Sequence, residues 1–165
     1  MAKQKRPTRP SDGHQVIATN RTARRDFDIL DTFEAGIALR GTEVKSLREG
    51  HVQFADANVW IDNDEAYAMG IHIQPWGSTR RYGDAPAEPA RRRKLLLHHH
   101  EIDELRRKSQ IERLALVPIS LYFKEGRVKV EVAVARGRRK EDKRQVLAAR
   151  DAERDMARAR KPNVR

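Results

Sequence analysis

The feature that most constrains the fold is a recurrence of large apolar residues at every second position near the end of the chain. It runs on both sides of a short segment, residues 124–127, that contains Gly126. The alternating apolar residues are Val117, Ile119, Leu121 and Phe123 before that segment and Val128, Val130, Val132 and Val134 after it. Because successive side chains of a β-strand point to opposite faces of a sheet, this spacing predicts an antiparallel hairpin with one buried face.

Two other parts of the chain show the same period. One long or bent strand is predicted between residues 27 and 39, where apolar residues occupy odd positions and the pattern breaks only at Asp31. A second hairpin is predicted across residues 59–73, with its turn at residues 62–65. The sequence therefore predicts five or more antiparallel strands.

Short helices and a loop separate these strands. Helices are predicted within "TEVKSLREG" (42–50) and "HHEIDELRRKSQIE" (99–112), and a loop rich in Gly, Pro and Arg at residues 77–93. These elements indicate an all-β protein with small helices. We expect an OB-like closed β-barrel, because closure removes exposed strand edges. Barrels of this type commonly bind oligonucleotides.

Positive charge is concentrated at the two ends of the chain. The formal net charge is +11, and most of it lies before residue 26 and after residue 135, around a nearly neutral middle. This distribution suits a polyanion such as nucleic acid. We expect a flexible basic N-terminal segment at residues 1–18, a barrel at residues 19–136 and a basic tail at residues 137–165. The tail is expected to be disordered alone and helical when phosphates neutralise its arginines.

Composition argues against several classes of protein. The chain has no cysteine, so it has neither a disulfide framework nor a thiolate zinc site. No stretch approaches the length of a membrane span, and the basic start leads into no apolar segment of a secretory signal. We therefore expect a soluble cytoplasmic protein without membrane contact.

The histidine-rich stretch before residue 105 resembles a metal site only superficially. His99 and Asp103, like His100 and Glu104, lie one helical turn apart, but no fourth ligand is evident. We expect no metal and no cofactor. An enzyme is not expected either, because no nucleophile, paired carboxylates or phosphate-binding loop can be recognised.

Three segments of the chain are recognisable as motifs: "EAGIALRGTEVKSLREG" (34–50), "RKLLLHHHEI" (93–102) and "LYFKEGRVKVEVAVARGRRKEDKR" (121–144). They resemble the SmpB family of bacterial proteins, and "NRTAR" (20–24) and "IHIQPW" (71–76) are similar to it more loosely. Order and spacing are preserved from about residue 16 to the end of the chain. The resemblance implies an OB-like barrel with small helices and an RNA-binding protein that catalyses no reaction.

The resemblance also implies a role in trans-translation. SmpB proteins bind the tRNA-like domain of transfer-messenger RNA (tmRNA, or SsrA RNA) and deliver it to stalled 70S ribosomes. Their C-terminal tail occupies the decoding centre and the empty mRNA channel, against ribosomal RNA, and becomes helical there. The ribosome is rescued and the nascent chain is tagged for proteolysis. Alanyl-tRNA synthetase and elongation factor Tu are implied as indirect partners, through tmRNA.

Matching positions imply the functional residues. A carboxylate at Glu34 can accept hydrogen bonds from a base amine or orient a neighbouring cation, and His98 can bond to or stack on an unstacked base. The tmRNA contacts implied in this way are Asn20, Arg21, Arg24, Glu34, Lys45, Arg48, Leu96 and His98. The ribosome contacts implied in the tail are Gly137, Arg138, Arg139, Lys140, Asp142, Lys143 and Arg144.

Two places depart from the family pattern. His99 and His100 stand where Lys, Arg or Gln is usual, and Glu141 precedes "DKR" where the family has His or Tyr. Either a hydrogen bond accepted by Glu141 replaces the stacking of that ring or the family pattern is broader. The alternative function is that of a more general RNA-binding OB protein of the ribosome or of translation, and an enzyme acting on RNA comes third.

Overall fold

Within the residues that the computed structural model describes, 14–77, 88–138 and 140–159, seven β-strands form one antiparallel sheet and four helices connect or follow them. The strands are β1 (His14–Thr19), β2 (Phe27–Ile37), β3 (Val52–Asp62), β4 (Glu65–Ile73), β5 (Arg93–Leu96), β6 (Ala115–Lys124) and β7 (Arg127–Gly137). The helices are α1 (Arg21–Asp26), α2 (Gly41–Arg48), α3 (His99–Gln110) and α4 (Lys140–Ala159). The strand order is β1-β6-β7-β2-β5-β4-β3.

The sheet is open. β1 and β3 are its edges, and β3 contacts β6 and β1, but no ladder of hydrogen bonds joins β3 to β1 among the described residues. The predicted antiparallel architecture with small helices is confirmed, whereas the closed barrel is not. Both edge strands contain irregularities, β1 between Val16 and Ala18 and β3 between Phe54 and Asn58. Bulges interrupt the row of backbone groups that an edge would need for pairing.

The irregularity in β3 depends on Gly70 of the opposite strand. Gly70 has a φ of +79°, and a Cβ atom there would lie 2.6 Å from the Cα atom of Ala57. Only glycine has both the conformational freedom and the small size for this position. The close approach fixes the register of the β3–β4 hairpin, whose two-residue turn lies inside the predicted turn at residues 62–65.

Bulges in β2 and β6 divide the predicted apolar faces between two clusters. The pairing shifts between Ile29 and Asp31 and between Pro118 and Ser120, so the break at Asp31 in the sequence pattern marks a bulge. On one side of the bulges, the main core contains Phe33, Ala35, Ile37, Leu121, Val130 and Val132. On the other side, a smaller cluster contains Ala23, Phe27, Ile29, Val117, Ile119 and Ala133.

The structure differs from the sequence prediction between residues 14 and 26. The sequence predicts a flexible segment through residue 18, but His14–Thr19 form β1 and pair with β6. The strand has no alternating pattern, because Val16 and Ile17 are adjacent and the pairing shifts after them. α1 follows, and Asn20 begins it by accepting a hydrogen bond from the Ala23 N–H at 3.0 Å. The rest of the predicted flexible segment, residues 1–13, lies outside the described residues.

The basic tail contains helix α4. Asp151 and Arg154, three positions apart on this helix, form an ion pair with 3.9 Å between the carboxylate and the guanidinium. The disorder expected of an isolated tail peptide stays a prediction. Neither α4 nor any other helix in the described ranges is long and apolar enough to cross a membrane.

Candidate nucleic-acid interface

A buried ion pair joins α2 to β5, the strand that leads into the candidate site. Glu43, in the first turn of α2, accepts hydrogen bonds at Oε1 from Nη2 and Nε of Arg93, at 2.8 Å and 3.1 Å. Its Oε2 accepts from Nη2 of Arg91 at 2.7 Å and from the N–H of Arg40 at 2.8 Å. The Arg93 side chain is 1% exposed and also donates to the carbonyls of Ile71, Pro89 and Arg91. α2 is thereby fastened to β5.

The charge of Glu43 is maintained by these donors. Partial burial opposes ionisation of the carboxyl, but the hydrogen bonds from Arg91, from the Arg40 N–H and from Arg93 outweigh it. The pKa of Glu43 therefore lies below its usual value. A carboxylate and a guanidinium both stay charged inside this contact, which holds β5 and the residues that follow it in place.

Glu34 lies on β2, next to buried Ala35, and its side chain is on the opposite face of the sheet. Tyr122 donates its hydroxyl to Glu34 Oε2 at 2.5 Å, and Lys124 Nζ donates to both carboxylate oxygens at 3.1 Å. Burial works against the charged form, but these hydrogen bonds and the nearby charge of Lys129 keep the pKa of Glu34 below its usual value. The carboxylate is thus an ionised acceptor between two lysines.

Tyr122 supports this carboxylate from β6. Burial and the hydrogen bond to Glu34 raise the pKa of the Tyr122 hydroxyl, so it remains a proton donor at all physiological pH values. The ring of His14 in β1 stacks on the Tyr122 ring, with centroids 5.2 Å apart. The orientation of Glu34 therefore rests on contacts from three strands.

Glu34, Leu96 and His98 line one groove of about 970 Å³. Leu96 ends β5 and is 56% exposed, whereas Leu95 beside it is 1% exposed in the core. Gly36 pairs with Leu96 across β2 and β5, and a Cβ at Gly36 would lie 3.1 Å from the Leu96 Cβ. Glu34 is thereby brought onto one surface with Leu96 and His98, which follow it by 62 and 64 positions in the sequence.

Charges of both signs border this groove. Lys94, Arg127 and Lys129 contribute to its lining, as do the carboxylates of Asp64, Glu65 and Glu101, and Lys94 Nζ forms an ion pair with Glu65 at 2.5 Å. An exposed apolar side chain suits the face of a nucleobase, and cations around it suit the phosphates of the same strand. The groove can therefore accommodate an unstacked nucleotide, with Glu34 as an acceptor for an exocyclic amine.

His98 lies at the start of α3. Its N–H donates to Glu101 Oε2 at 2.9 Å, which satisfies one backbone donor at the helix start. The exposed rings of His98 and His100 are stacked, with centroids 5.6 Å apart. This arrangement presents two imidazoles to solvent at the rim of the groove.

The other predicted tmRNA contacts lie elsewhere. Asn20 is buried, and its Nδ2 donates to the Pro118 carbonyl at 3.0 Å, so its side chain builds α1 and is not available to RNA. Arg21 is exposed, and Arg24 is half-exposed at 3.9 Å from Glu131. Lys45 and Arg48 are exposed on α2 but do not line the groove.

The predicted ribosome contacts divide between strand, connection and helix. Gly137 ends β7, and Arg138 follows it with its guanidinium against the body of the protein. Arg139 lies outside the described residues. Lys140, Asp142, Lys143 and Arg144 fall in the first turns of α4, where the Arg144 side chain is exposed.

Sequence reasoning misses Tyr122, Lys124 and Lys129 as partners of Glu34. The alternation places all three away from the buried face of the last hairpin, so the sequence does indicate that they are on the polar side. Their approach to Glu34 depends on the pairing of β2 with β7 and of β7 with β6. The hairpin pattern predicts the pairing of β6 with β7, but no local pattern predicts the pairing of β7 with β2.

The fold and this surface define a class of protein. An antiparallel sheet carries an exposed leucine, an ionised carboxylate and three cations in one groove, and a helix follows its last strand. Together with the chain's net charge of +11, these features are those of a small β-sheet protein that binds nucleic acid.

Comparison with known proteins identifies the family. The family model for the SmpB protein matches residues 17–162. An SsrA-binding protein of Mycobacterium leprae (strain Br4923) is 52% identical over 151 residues, which cover 90% of this chain and 91% of the relative. An SsrA-binding protein of Oleidesulfovibrio alaskensis is 50% identical over 148 residues, covering 90% and 94%.

A solved structure agrees with these sequence relatives. A chain from a structure described as "tmRNA-SmpB: a journey to the center of the bacterial ribosome" aligns with a TM-score of 0.62 and 43% identity, over 79% of this chain and 93% of that chain. This chain belongs to the SmpB protein family. The resemblance predicted from the sequence is confirmed.

Proposed function

We propose that this protein binds the tRNA-like domain of tmRNA and delivers it to stalled ribosomes in the cytoplasm. The observation that carries the proposal is the convergence of Glu34, Leu96 and His98 in one groove that Lys94, Arg127 and Lys129 also line. Membership of a family whose relatives are named SsrA-binding proteins supports the choice of RNA. The protein acts as an adaptor, and tmRNA brings the indirect partners alanyl-tRNA synthetase and elongation factor Tu.

The division of labour follows the parts of the chain. The body, about residues 19–136, binds tmRNA through the groove, with Arg21, Arg24, Lys45 and Arg48 as additional phosphate contacts. The tail from residue 137 engages ribosomal RNA in the decoding centre and the empty mRNA channel. The assignment is supported by the basic residues of the tail, which can pair with phosphates, and by its helix α4. Ribosome rescue and tagging of the nascent chain for proteolysis are the result.

The direct test compares two RNAs. We expect the full chain to bind the isolated tRNA-like domain of tmRNA at least about tenfold more tightly than an elongator tRNA, a difference of about 1.4 kcal/mol. Filter binding or fluorescence anisotropy measures both affinities at one salt concentration. Equal affinities would support a general RNA-binding protein instead.

Salt dependence adds a second measure of the same complex. If roughly seven phosphates are contacted, affinity should fall by about three to four decades between about 50 and 200 mM salt. A shallow slope would mean that shape and stacking dominate the recognition.

Glu34 offers the sharpest test of the groove. We expect Glu34→Gln to weaken binding of the tRNA-like domain by about 5- to 150-fold, the range for losing one well-placed contact to a base. The amide keeps the size of the side chain but loses the charge that accepts from Tyr122 and Lys124. Fluorescence anisotropy measures the loss.

Glu112→Gln is the matched control. Glu112 carries the same charge, lies 3.8 Å from Arg107 and does not line the groove. We expect its affinity to stay within about twofold of the parent, which corresponds to less than about 0.5 kcal/mol. Equal losses in the two variants would show that the groove around Glu34 has no special part in binding.

A further inference from the structure

The connection between body and tail is held by a set of hydrogen bonds to α1. The backbone N–H of Arg138 donates to the Asp26 carbonyl at 2.9 Å. Its Nη1 donates to the Arg25 carbonyl at 3.3 Å, and its Nη2 lies 3.8 Å from a carboxylate oxygen of Asp28. The Arg138 side chain is only 21% exposed, although it stands in a run of basic residues. We call these contacts the Arg138 clamp.

The physical basis of the clamp is the end of a short helix. The last carbonyls of any helix lack partners within the helix and carry partial negative charge, so a cation near them is favourable. α1 has six residues and ends at Asp26, so Arg25 and Asp26 supply such carbonyls. Arg138 satisfies both of them from a distant part of the chain, and its charge complements the helix dipole.

The other end of α1 is fastened to β6. Asn20 donates its backbone N–H to the Ile119 carbonyl at 2.8 Å and its side-chain amide to the Pro118 carbonyl at 3.0 Å. Ala23, in the middle of the helix, is buried in the smaller apolar cluster. α1 is therefore a fixed support, held by β6 at its start and by the Arg138 clamp at its end.

The tail helix begins directly beside this support. α4 starts at Lys140, two residues after Arg138, and contacts α1. With both the backbone and the side chain of Arg138 attached to α1, the direction in which the chain leaves the sheet is fixed before the helix starts. Arg136, two residues earlier, has an exposed side chain instead.

We propose that Arg138 is a positioning residue that sets the direction of the tail helix relative to the tmRNA-binding body, by clamping the chain to the C-terminal end of α1. This inference rests on the proposed function and replaces the direct ribosome contact that the sequence implies for Arg138. A tail of fixed direction reaches the decoding centre when the body is seated on tmRNA. A freely rotating tail reaches it less often.

The structural test measures a distance in the full chain. The sequence has no cysteine, so spin labels can be attached to Gln53→Cys on the exposed side of β3 and Ala152→Cys on the exposed part of α4. Electron paramagnetic resonance should give one narrow distance distribution for the parent chain. We expect Arg138→Ala to broaden it clearly, and Arg136→Ala, which removes the same charge, to leave it narrow.

The functional test separates tmRNA binding from tagging. In reconstituted translation of an mRNA without a stop codon, we expect Arg138→Ala to reduce nascent-chain tagging by about tenfold. Its affinity for the tRNA-like domain should stay within about twofold of the parent, and Arg138→Lys should restore part of the tagging, because lysine can still donate to one carbonyl.

Any other result of these two tests would contradict either the Arg138 clamp or the proposed function. A parent-like distance distribution or parent-like tagging in Arg138→Ala would overturn the clamp. Equal tagging loss in Arg136→Ala would mean that only the charge matters, and loss of tmRNA affinity in Arg138→Ala would mean a general structural role. Failure of the parent chain itself to prefer the tRNA-like domain would instead overturn the proposed function, while the distance measurement would still decide the clamp.

Discussion

Glu43→Gln is expected to lower the free energy of unfolding by about 3–5 kcal/mol at pH 7. The substitution keeps the size of the side chain but removes the only charge that compensates Arg93 among its described hydrogen-bond partners, the others being backbone carbonyls. With the Arg93 side chain 1% exposed, water cannot replace the carboxylate. An uncompensated buried cation costs several times more than a surface ion pair contributes. Denaturant unfolding followed by circular dichroism measures the loss.

Glu112→Gln is the control for this variant. Glu112 lies 3.8 Å from Arg107, and both side chains are about half exposed, at 45% and 58%. Its replacement should cost less than about 1 kcal/mol, because solvent screens such pairs. Similar losses in the two variants would show that the network around Arg93 contributes no more than an ordinary surface contact.

The hydrogen bonds around Glu43 also make the free energy of unfolding depend on pH. The pKa of Glu43 is lower in the folded protein than in the unfolded chain, so its contribution is fully present above the unfolded value, about 4.3. That contribution disappears as pH falls through the lower, folded pKa. The stability difference between the parent and Glu43→Gln should therefore shrink below about pH 4. A constant difference from pH 7 to pH 3 would contradict this account.

The elements that sequence predicts well are those with a local period. Valines occupy every second position from Val128 to Val134. These residues form part of β7, and all four valines are buried. The long strand ending near residue 39 is also present, and its interruption at Asp31 corresponds to a bulge. A two-residue period identifies a strand and its buried face, and beside a turn it predicts a hairpin, but it does not specify pairing with a strand that is distant in the sequence.

Arg93 shows why the site could be predicted only in part. The triplet at residues 91–93 reads as a solvated, basic loop, yet Arg93 is among the most buried side chains and its carboxylate partner is fifty positions away. The family resemblance indicates Leu96 and His98, but the network that holds β5 in place is a property of the tertiary structure. Burial of a charge depends on a partner that no local pattern specifies.

α1 illustrates the opposite case, a local signal that is easily overlooked. Its sequence, "RTARRD", has no apolar stripe, and only Ala23 is buried. Asn20 is a favourable residue for beginning a helix, and its side chain does so here. The resemblance implies an RNA contact at this asparagine, whereas in the structure its side chain is engaged inside the protein, at Ala23 and Pro118.

Ending the chain after Arg138 is expected to abolish most tagging while leaving tmRNA binding intact. The shortened chain keeps β7, the groove and the Arg138 clamp, but loses α4 and its basic residues. If the tail contributes three phosphate contacts, their loss lowers affinity for ribosomal RNA about 50-fold near physiological salt. Reconstituted tagging on stalled ribosomes and anisotropy with the tRNA-like domain measure the two effects separately.

The position of the truncation decides what the experiment means. A chain ending after Ala135 would also lose Arg136 and Gly137, which pair with β2 at Asp28 and Phe27, and would leave the end of α1 without its cap. We expect that shorter chain to be less stable as well as inactive in tagging, so only the longer truncation isolates the tail. Normal tagging by the chain ending after Arg138 would show that α4 is dispensable. A parallel collapse of its tmRNA affinity would show that body and tail do not divide the work, because the tail would then be part of the tmRNA-binding surface.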